Sequence, residues 1–270
     1  MVVLTLREQS MAPTLKIRVL GSGTSTGVPV IGCTCYTCCS RNVKDKRTRA
    51  SILVRYLNQD LNLVVDTAPE FRLQMLEAKV RDLRHVLYTH THADHCHGFD
   101  DLRAFYFFSK TPVNCYLAKE HAKELRSRFS YAFEDTGYIG TPPQVKLKTI
   151  TARGFSIKGA KIDVKVLPHG SMETLAFRFG SFAYATDFKY FPSKVIASWR
   201  GKIDTMVASA LRFSEHPTHS SIPETLELFK ELGVRRGILT HLSHDICYKR
   251  DFKKIPKNVS LAYDGMEIVI

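Results

Sequence analysis

The feature that most constrains the fold of this chain is the recurrence of short β-rich runs interrupted by single helical segments. Runs of β-branched, aromatic and other apolar residues lie at 15–20, 51–57, 62–66, 86–90, 113–118, 145–150, 162–167, 174–179, 182–186, 204–208, 237–241, 259–263 and 267–270. Apolar spacing nearer 3.6 residues predicts helices at 69–80, 98–109, 119–129, 193–200 and 222–232. Strands outnumber helices, which favours an α/β fold of two packed sheets with helices outside over a doubly wound parallel sheet.

The domain organisation follows from the absence of a linker pattern. No low-complexity stretch divides the 270 residues, and the Gly- and Pro-containing segment at 136–143 is short enough to be a loop. Residues 1–14 precede the first strand and are predicted to form an N-terminal tail. Residues 15–270 are predicted to form a single domain, since one large core is admissible at this length.

Composition limits the settings that suit the chain. Apolar residues make up 44% and charged residues 24% of it, which is typical of folded globular proteins. No apolar run approaches the length of a membrane-spanning helix, so we expect no membrane span. The first ten residues lack a signal-peptide pattern and the cysteines number seven, an odd count, so we expect a reducing, cytoplasmic setting.

The net charge indicates which classes of ligand the protein is suited to bind. The net charge of +13 favours phosphate-bearing ligands or nucleic acid without specifying which. Part of the excess lies in two basic segments, residues 41–49 and 249–257. Each segment taken alone is more simply a solvated loop than a nucleic-acid groove. Nucleic acid is therefore an admissible partner but not the favoured one.

The strongest chemical signal is the motif HTHADH at residues 90–95, where a predicted strand gives way to a helical segment. Extended residues alternate faces, so His90 and His92 point the same way, while Asp94 and His95 reach a second position nearby. Imidazole and carboxylate groups are ligands that divalent transition metals bind well. Four such side chains in six residues predict a site that serves two metals.

Further ligand types lie at the ends of other predicted strands. His169 follows strand 162–167, Asp187 follows strand 182–186 and His241 closes strand 237–241. Any one of them alone is more simply a capping or hydrogen-bonded residue. Three at equivalent strand ends predict that they complete the two-metal site.

A second metal signature lies in the crowded cysteines Cys33, Cys35 and Cys38. Three thiolates within six residues wrap one tetrahedral zinc ion if a fourth ligand comes from elsewhere. His244, three residues beyond His241, is the natural fourth ligand. Cys39 is an alternative to Cys38 at this stage. The remaining cysteines are interpreted as packing residues.

Read in order, these residues resemble the five motifs of the metallo-β-lactamase superfamily, with Asp66 in VVDTAPEF as the first motif. The resemblance implies a four-layer αββα sandwich of two mixed sheets with helices outside. It implies one metal on His90, His92 and His169, a second metal on Asp94, His95 and His241, and Asp187 bridging them. Metals about 3.5–4 Å apart need such a shared anionic ligand, and Asp66 would orient a ligand histidine without touching metal.

Flanking segments narrow the resemblance. GSGTSTGVPVIGCTC (21–35), RTRASILV (47–54), VVDTAPEFRLQML (64–76), THTHADHCHGFDDLR (89–103), HPTHSS (216–221) and LTHLSHD (239–245) resemble the PhnP-type phosphodiesterases from residue 21 to residue 270. The glycine-rich start lacks the ending of a P-loop and is interpreted as a tight strand-to-loop turn.

The resemblance implies a binuclear metal-dependent phosphodiesterase acting on a small phosphodiester, such as a cyclic ribosyl or nucleotide ester. A hydroxide bridging the two active-site metals, Zn or Mn, would attack phosphorus, with Asp94 among the catalytic residues. The resemblance also implies a Cys3His structural zinc and makes His219 the general acid that protonates the leaving oxygen. Arg72 or nearby basic residues would neutralise charge. No further cofactor is expected.

The sequence is also compatible with other functions. A tRNase Z-like RNA endonuclease shares the metal set, but the chain lacks a long basic Gly/Pro-rich insertion. Thioester or lactone hydrolysis is compatible with the same metals, because a fold does not set the substrate. The aromatic residues Phe129, Tyr131, Phe133 and Tyr138 are compatible with core packing or a homodimer contact. Ser209 stands where relatives often carry an acidic residue, and the sequence does not assign its consequence.

Overall fold

The computed structural model describes residues 15–134 and 140–270. The predicted tail at 1–14 and Tyr138 lie outside these residues. The strands are β1 (Leu15–Gly21), β2 (Ser51–Tyr56), β3 (Leu61–Val65), β4 (His85–Leu87), β5 (Val113–Leu117), β6 (Val145–Thr149), β7 (Phe155–Ile157), β8 (Ala160–His169), β9 (Met172–Phe179), β10 (Phe182–Ala185), β11 (Thr205–Ser209), β12 (Arg236–Thr240), β13 (Val259–Leu261) and β14 (Glu267–Val269). The α-helices are α1 (Phe71–Glu77), α2 (Ala93–Cys96), α3 (Arg103–Ser109), α4 (Lys119–Arg128), α5 (Ser193–Trp199), α6 (Ile222–Leu232) and α7 (Tyr248–Asp251). Among the described helices, none is long and apolar enough to cross a membrane.

The strands form two seven-stranded mixed sheets. The first has the order β14-β1-β2-β3-β4-β5-β6 and the second the order β13-β12-β11-β10-β9-β8-β7. In the first sheet β14 through β3 pair antiparallel, and β3 through β6 pair parallel. In the second sheet β13 through β10 pair parallel, and β10 through β7 pair antiparallel. The predicted sandwich of two mixed sheets is confirmed.

Alternation along the strands produces three layers of core. In β2, Ile52 and Val54 face the core between the sheets, while Leu53 faces the helices outside the first sheet. In β11, Val207 faces the same central core, while Met206 packs toward α5 and α6. A strand covered on both faces carries apolar residues on both, which is why these runs are nearly continuous.

Helix α6 shows how local sequence sets an element near the site. Ser221 caps it, accepting from the Glu224 amide while the Glu224 side chain accepts from the Ser221 amide. A proline occupies the first turn, and Gly233 ends the helix in the left-handed conformation. The predicted bounds 222–232 are confirmed.

Short elements were the ones that the periodicity did not predict. Strand β7, helix α2 and helix α7 have at most four residues each. Strand β4 ends at Leu87, so His90 lies beyond it rather than inside it. Elements this short carry too few residues for a period to stand out from the flanking sequence.

The two basic segments are more ordered than the predicted solvated loops. The Arg47 side chain is 0% exposed and pairs with Asp45, whose side chain is 1% exposed. In the second segment the Asp251 side chain is also 0% exposed and pairs with Arg250 and Lys254. The solvated-loop interpretation was therefore wrong for Arg47, because Asp45 allows it to be buried as a pair, whereas the side chains of Arg250 and Lys254 are 49% and 54% exposed.

Candidate metal centre

Three residues that the sequence predicts for the site share an unusual backbone conformation. Asp66 (φ 66°), Asp187 (φ 56°) and His241 (φ 57°) all lie in the left-handed region. They follow the ends of β3, β10 and β12 within two residues. Such a conformation costs about 1–3 kcal/mol for a residue with a side chain, so the surrounding sheets must hold it. It turns the chain sharply where each strand ends.

The first ligand group combines His90, His92 and His169. His90 Nε2 lies 3.1 Å from His92 Nδ1, and His169 Nε2 lies 3.2 Å from the same atom. His92 is the residue that precedes α2, and His169 is the last residue of β8. The structure thus brings together the three histidines that the resemblance implies for one metal.

The second ligand group combines Asp94, His95 and His241. Asp94 Oδ2 lies 3.3 Å from His95 Nε2 and 3.6 Å from His241 Nε2. Asp187 Oδ2 lies 3.1 Å from His95 Nε2, and Asp187 Oδ1 lies 3.1 Å from His241 Nε2. Asp187 also offers an oxygen within 4.8 Å of ligand atoms of His90 and of His169. Its carboxylate therefore lies between the two groups.

These separations fit metal coordination. Zn–N bonds of about 2.0–2.1 Å in a tetrahedron put neighbouring ligand atoms roughly 3.3–3.4 Å apart. His95 Nε2 and His241 Nε2 are buried, and although each lies 3.1 Å from an Asp187 oxygen, neither has hydrogen-bond geometry to any described residue. Buried imidazole nitrogens are normally hydrogen-bonded or bound to metal. The donor set and its unpaired nitrogens match what divalent metals require.

Asp66 contacts His95. Its Oδ2 lies 2.8 Å from His95 Nδ1, and its carboxylate also accepts from the Thr89 amide and hydroxyl, both at 2.8 Å. A carboxylate on one imidazole nitrogen fixes the ring and directs the other nitrogen, here toward Asp94 and Asp187. The predicted orienting role of Asp66 is compatible with this placement.

The charges in the pocket shift its titrating groups in opposite directions. Burial disfavours charge on His95, but Asp94, Asp187 and Asp66 outweigh it and raise the pKa of His95 well above its ordinary value. Burial alone would raise the pKa of Asp187, yet His241 and His95 lower it well below the usual range. Burial and the nearby His95 lower the pKa of His90. The shifts favour an anionic Asp187 and a neutral His90, which are the forms that metals bind, whereas His95 has to release a proton when it binds a metal.

His219 lies on the wall of the same pocket, a cavity of about 320 Å³. Its Nδ1 is 3.3 Å from Asp187 Oδ1, and its ring stacks on His241 with centroids 5.2 Å apart. Burial lowers the pKa of His219 to about 3 against the opposing effect of Asp187. The other lining residues are Ser25, His92, Asp94, His169, Gly170, Ser171, Met172, Asp187, Thr218 and His241. Arg72 lines a different cavity, so its predicted role at the metals is not compatible with the structure.

The cysteine cluster includes His244, which follows the pocket residue His241 by three positions in the sequence. His244 Nδ1 is 3.4 Å from Cys33 Sγ, 3.5 Å from Cys35 Sγ and 3.7 Å from Cys38 Sγ. Zn–S bonds of about 2.3 Å and a Zn–N bond of about 2.0 Å in a tetrahedron predict roughly 3.5 Å for these separations. Cys39 is exposed and lies outside the group, so the structure selects Cys38 from the two alternatives.

The sequence did not predict three further features of the pocket. Thr91, between two proposed ligands, contacts His121 Nδ1 at 3.2 Å and also donates to Glu124. Ser25 lines the cavity. Ser209 ends β11 with a buried hydroxyl that has no partner among the described residues. Of these three residues only Ser25 lines the cavity, and no spacing in the sequence signals its position.

Comparisons with known proteins agree with this architecture. Residues 61–242 match the family described as "Beta-lactamase superfamily domain". A solved diphosphatase of the PhnP family is 33% identical, with a TM-score of 0.88 over 96% of this chain and 98% of that chain. Zn²⁺-bound PqqB from Methylobacterium extorquens is 18% identical, with a TM-score of 0.75 over 94% of this chain and 99% of that chain, and shows the fold alone.

A curated relative, the octanoyltransferase of Porphyromonas gingivalis (strain ATCC BAA-308 / W83), is 32% identical over 254 residues. The match covers 93% of this chain and 51% of the relative, so the chain spans about half the length of that relative.

The two sheets and the ligand groups at their strand ends define a metal-dependent hydrolase that uses divalent metal. The chain belongs to the metallo-β-lactamase superfamily and, within it, to the PhnP family. The predicted family is confirmed.

Proposed function

We propose that the protein is a binuclear metal-dependent phosphodiesterase that hydrolyses a small phosphodiester. The observation that carries the proposal is that His219 lies in one small pocket with both ligand groups and touches Asp187. A general acid belongs beside the nucleophile-generating metals, because a departing alkoxide needs a proton. The likeness to a diphosphatase over nearly the full chain supports phosphorus–oxygen cleavage.

The proposed metal-holding residues are His90, His92, His169, Asp94, His95, Asp187 and His241. Bound there, two divalent ions supply Lewis-acid charge and a hydroxide nucleophile at neutral pH. Asp66 holds His95 in one tautomer and orientation. Zn and Mn both accept this mixed nitrogen and oxygen donor set. A separate zinc on Cys33, Cys35, Cys38 and His244 is proposed as structural.

His219 is proposed to protonate the leaving oxygen. With its pKa lowered to about 3, the imidazole is neutral at pH 7. An anionic phosphoryl group beside it favours the protonated form. We therefore expect the proton to reach His219 when substrate enters.

Acyl-ester hydrolysis is the less favoured reading, although a relative carries the name octanoyltransferase. Among the described residues that line the pocket, Met172 alone has an apolar side chain. A pocket that binds an eight-carbon chain needs a largely apolar wall. We infer that the transferase name refers to the part of the relative that this chain does not match.

A substrate panel tests the proposal. Bis-p-nitrophenyl phosphate, 2′,3′-cyclic nucleotides, pre-tRNA and a lactone should be assayed with the Mn- and the Zn-loaded protein. We expect turnover of the small diesters. Cleavage of pre-tRNA with a steep salt dependence would support the RNA endonuclease instead, and exclusive lactone turnover would support carboxylic ester hydrolysis.

The role of His219 is tested by changing the leaving group. His219→Ala should slow a diester with an alkyl alkoxide leaving group by about 10²–10⁴-fold. A p-nitrophenyl diester should lose far less, because p-nitrophenolate leaves without a proton. Equal losses for both substrates would show that His219 positions substrate and that another group supplies the proton.

A further inference from the structure

The loop at residues 21–27 sends one side chain into the metal pocket. Ser25 is exposed and lines the cavity beside His92, Asp94 and His241. The proposed metals supply Lewis-acid charge and His219 supplies the proton, and a hydrogen-bond donor to a non-bridging oxygen of the phosphodiester would add to both. Ser25 is available for that contact.

Glycines hold the loop against residues 47–49. A Cβ on Gly21 would stand 2.0 Å from the Arg49 carbonyl oxygen, and one on Gly23 would stand 2.9 Å from the Arg47 carbonyl oxygen. Two side chains would therefore push the loop off its support. The position of the loop is a consequence of close backbone packing.

The loop is also tied to the strand end that carries a proposed ligand. The Thr24 amide donates to the carbonyl of Leu242, the residue after His241, at 3.2 Å. The Gly27 amide donates to the Thr24 carbonyl at 2.8 Å, which closes a turn with Ser25 at its tip. Ser25 is thus fixed relative to His241 by two hydrogen bonds.

Among the described residues, nothing accepts a hydrogen bond from Ser25. Its carbonyl accepts from Arg49 Nε at 3.1 Å, and Arg49 is held in turn by an ion pair with Glu70. Within residues 15–134 and 140–270, neither the amide nor the hydroxyl of Ser25 has a hydrogen-bond partner. Exposed donors at the tip of a turn are well suited to an anionic oxygen.

Besides Ser25, Thr218 and the exposed Ser171 supply the other hydroxyls that line the described pocket. No described lysine or arginine lines the cavity. The Thr218 hydroxyl is engaged with His216 Nδ1 at 3.3 Å. We propose that Ser25 is a substrate-contacting residue, whose hydroxyl and amide donate to a non-bridging oxygen of the phosphodiester. This inference rests on the proposed phosphodiesterase function.

The test compares Ser25→Ala with Thr26→Ala, an exposed neighbour that does not line the metal pocket. Loss of a hydrogen bond to a charged group should lower kcat/KM of Ser25→Ala by about 10- to 100-fold. The factor should be the same for p-nitrophenyl and alkyl diesters, because the contact does not involve the leaving oxygen. Thr26→Ala should stay near wild type, and Ser25→Thr, which keeps the hydroxyl, should recover most of the loss.

Binding of inorganic phosphate to the metal-loaded protein gives a second readout that needs no turnover. Ser25→Ala should raise the phosphate dissociation constant, with metal content and Tm unchanged. Equal kcat/KM and equal phosphate binding in Ser25→Ala and Thr26→Ala would overturn the role of Ser25 and leave the phosphodiesterase activity standing. If the wild-type protein cleaves no diester, the proposed function fails. Phosphate binding then decides the role of Ser25: no phosphate binding, or the same dissociation constant in wild type and Ser25→Ala, would overturn that role.

Discussion

The histidine pocket and the cysteine cluster both gather metal-ligand side chains, but different parts of the fold hold them. In the pocket, His169 ends β8, while Asp187 and His241 follow β10 and β12 in the same sheet. Parallel pairing of β10, β11 and β12 fixes the distance between the last two. The backbone ladder therefore sets the spacing of the ligands.

The cysteine cluster has no such ladder. Cys33, Cys35 and Cys38 lie in a loop without strands, and His244 lies in a second loop. A buried side chain joins the loops, since Arg47 donates to the Ser243 carbonyl at 3.1 Å and to the Ile246 carbonyl at 2.7 Å. We therefore expect this region to depend on side-chain links, and on the proposed zinc, for its order.

The comparison indicates that groups of metal-ligand side chains can have two different roles in one protein. We therefore expect metal in the pocket preformed by strands to serve catalysis, and metal in the loop cluster to serve folding. Only two residues separate His241 from His244 in the chain, so disorder in the cluster should reach the pocket more readily than the reverse.

The largest expected effect is on turnover. Asp94→Ala removes a proposed ligand and should lower kcat by about 10³-fold or more, because the metals supply several kcal/mol of transition-state stabilisation. The free energy of unfolding should change little, since the sheets hold the pocket. Rates and denaturant melts of the same preparation measure both. A collapse of the fold would contradict the distinction between the two regions.

Cys35→Ser should chiefly lower stability, in contrast to the loss of turnover expected for Asp94→Ala. Loss of a thiolate ligand should remove the structural zinc and lower the free energy of unfolding by about 5 kcal/mol or more. Cys39→Ser is the matched control, since Cys39 is exposed and outside the cluster. Metal analysis and Tm decide the outcome. A Cys35→Ser protein with unchanged Tm would remove the structural role of the cluster.

The side chain of Arg47, which links the two loops, should give the next largest effect on the free energy of unfolding. Arg47→Met leaves the Asp45 carboxylate buried without its partner, which should cost about 3–5 kcal/mol. The double variant Asp45→Asn, Arg47→Met removes both charges and should recover part of that loss. The two chemical denaturation curves, with zinc content, measure this. A double variant no more stable than Arg47→Met would show that the hydrogen bonds to Ser243 and Ile246 outweigh the charge pair.

Residue types and strand ends were sufficient to predict much of the site from sequence. The motif at 90–95 and the later histidines and aspartates stand out because ligands must follow strands whose ends meet at one edge. The left-handed backbone of Asp66, Asp187 and His241 has only a weak sequence signal, because Asp and His adopt it more often than most side chains but still uncommonly. Packing of the ends of β3, β10 and β12 imposes it.

What the sequence could not predict depends on contacts between distant loops. The choice of Cys38 over Cys39 depends on which side of a loop each thiol faces. The burial of Arg47 requires the loop at 243–246, nearly 200 residues away along the chain, to be in place. Ser25 reaches the pocket only because its loop packs against residues 47–49. None of these contacts follows a local period.

The smallest expected effect is on stability and concerns two buried serines. It tests whether the paired strands alone hold the pocket. Ser209 and Ser22 are both 0% exposed, but the Ser22 hydroxyl donates to Asp264 Oδ1 at 2.7 Å, whereas the Ser209 hydroxyl has no partner among the described residues. Removing a buried hydroxyl that bonds nothing removes a desolvation penalty, so Ser209→Ala should change the free energy of unfolding by less than about 1 kcal/mol. Ser22→Ala should lose about 1–2 kcal/mol.

Urea denaturation midpoints of the two serine variants compare these values, and kcat/KM of Ser209→Ala adds the functional readout. His241 Nδ1 is also buried without a partner among the described residues, and Ser209 pairs in register with Thr240 next to it. If parallel pairing of β11 and β12 alone holds His241, Ser209→Ala should keep wild-type turnover. A tenfold loss with unchanged stability would instead show that the Ser209 hydroxyl orients His241, and that the pocket, like the cysteine cluster, depends on a side-chain link.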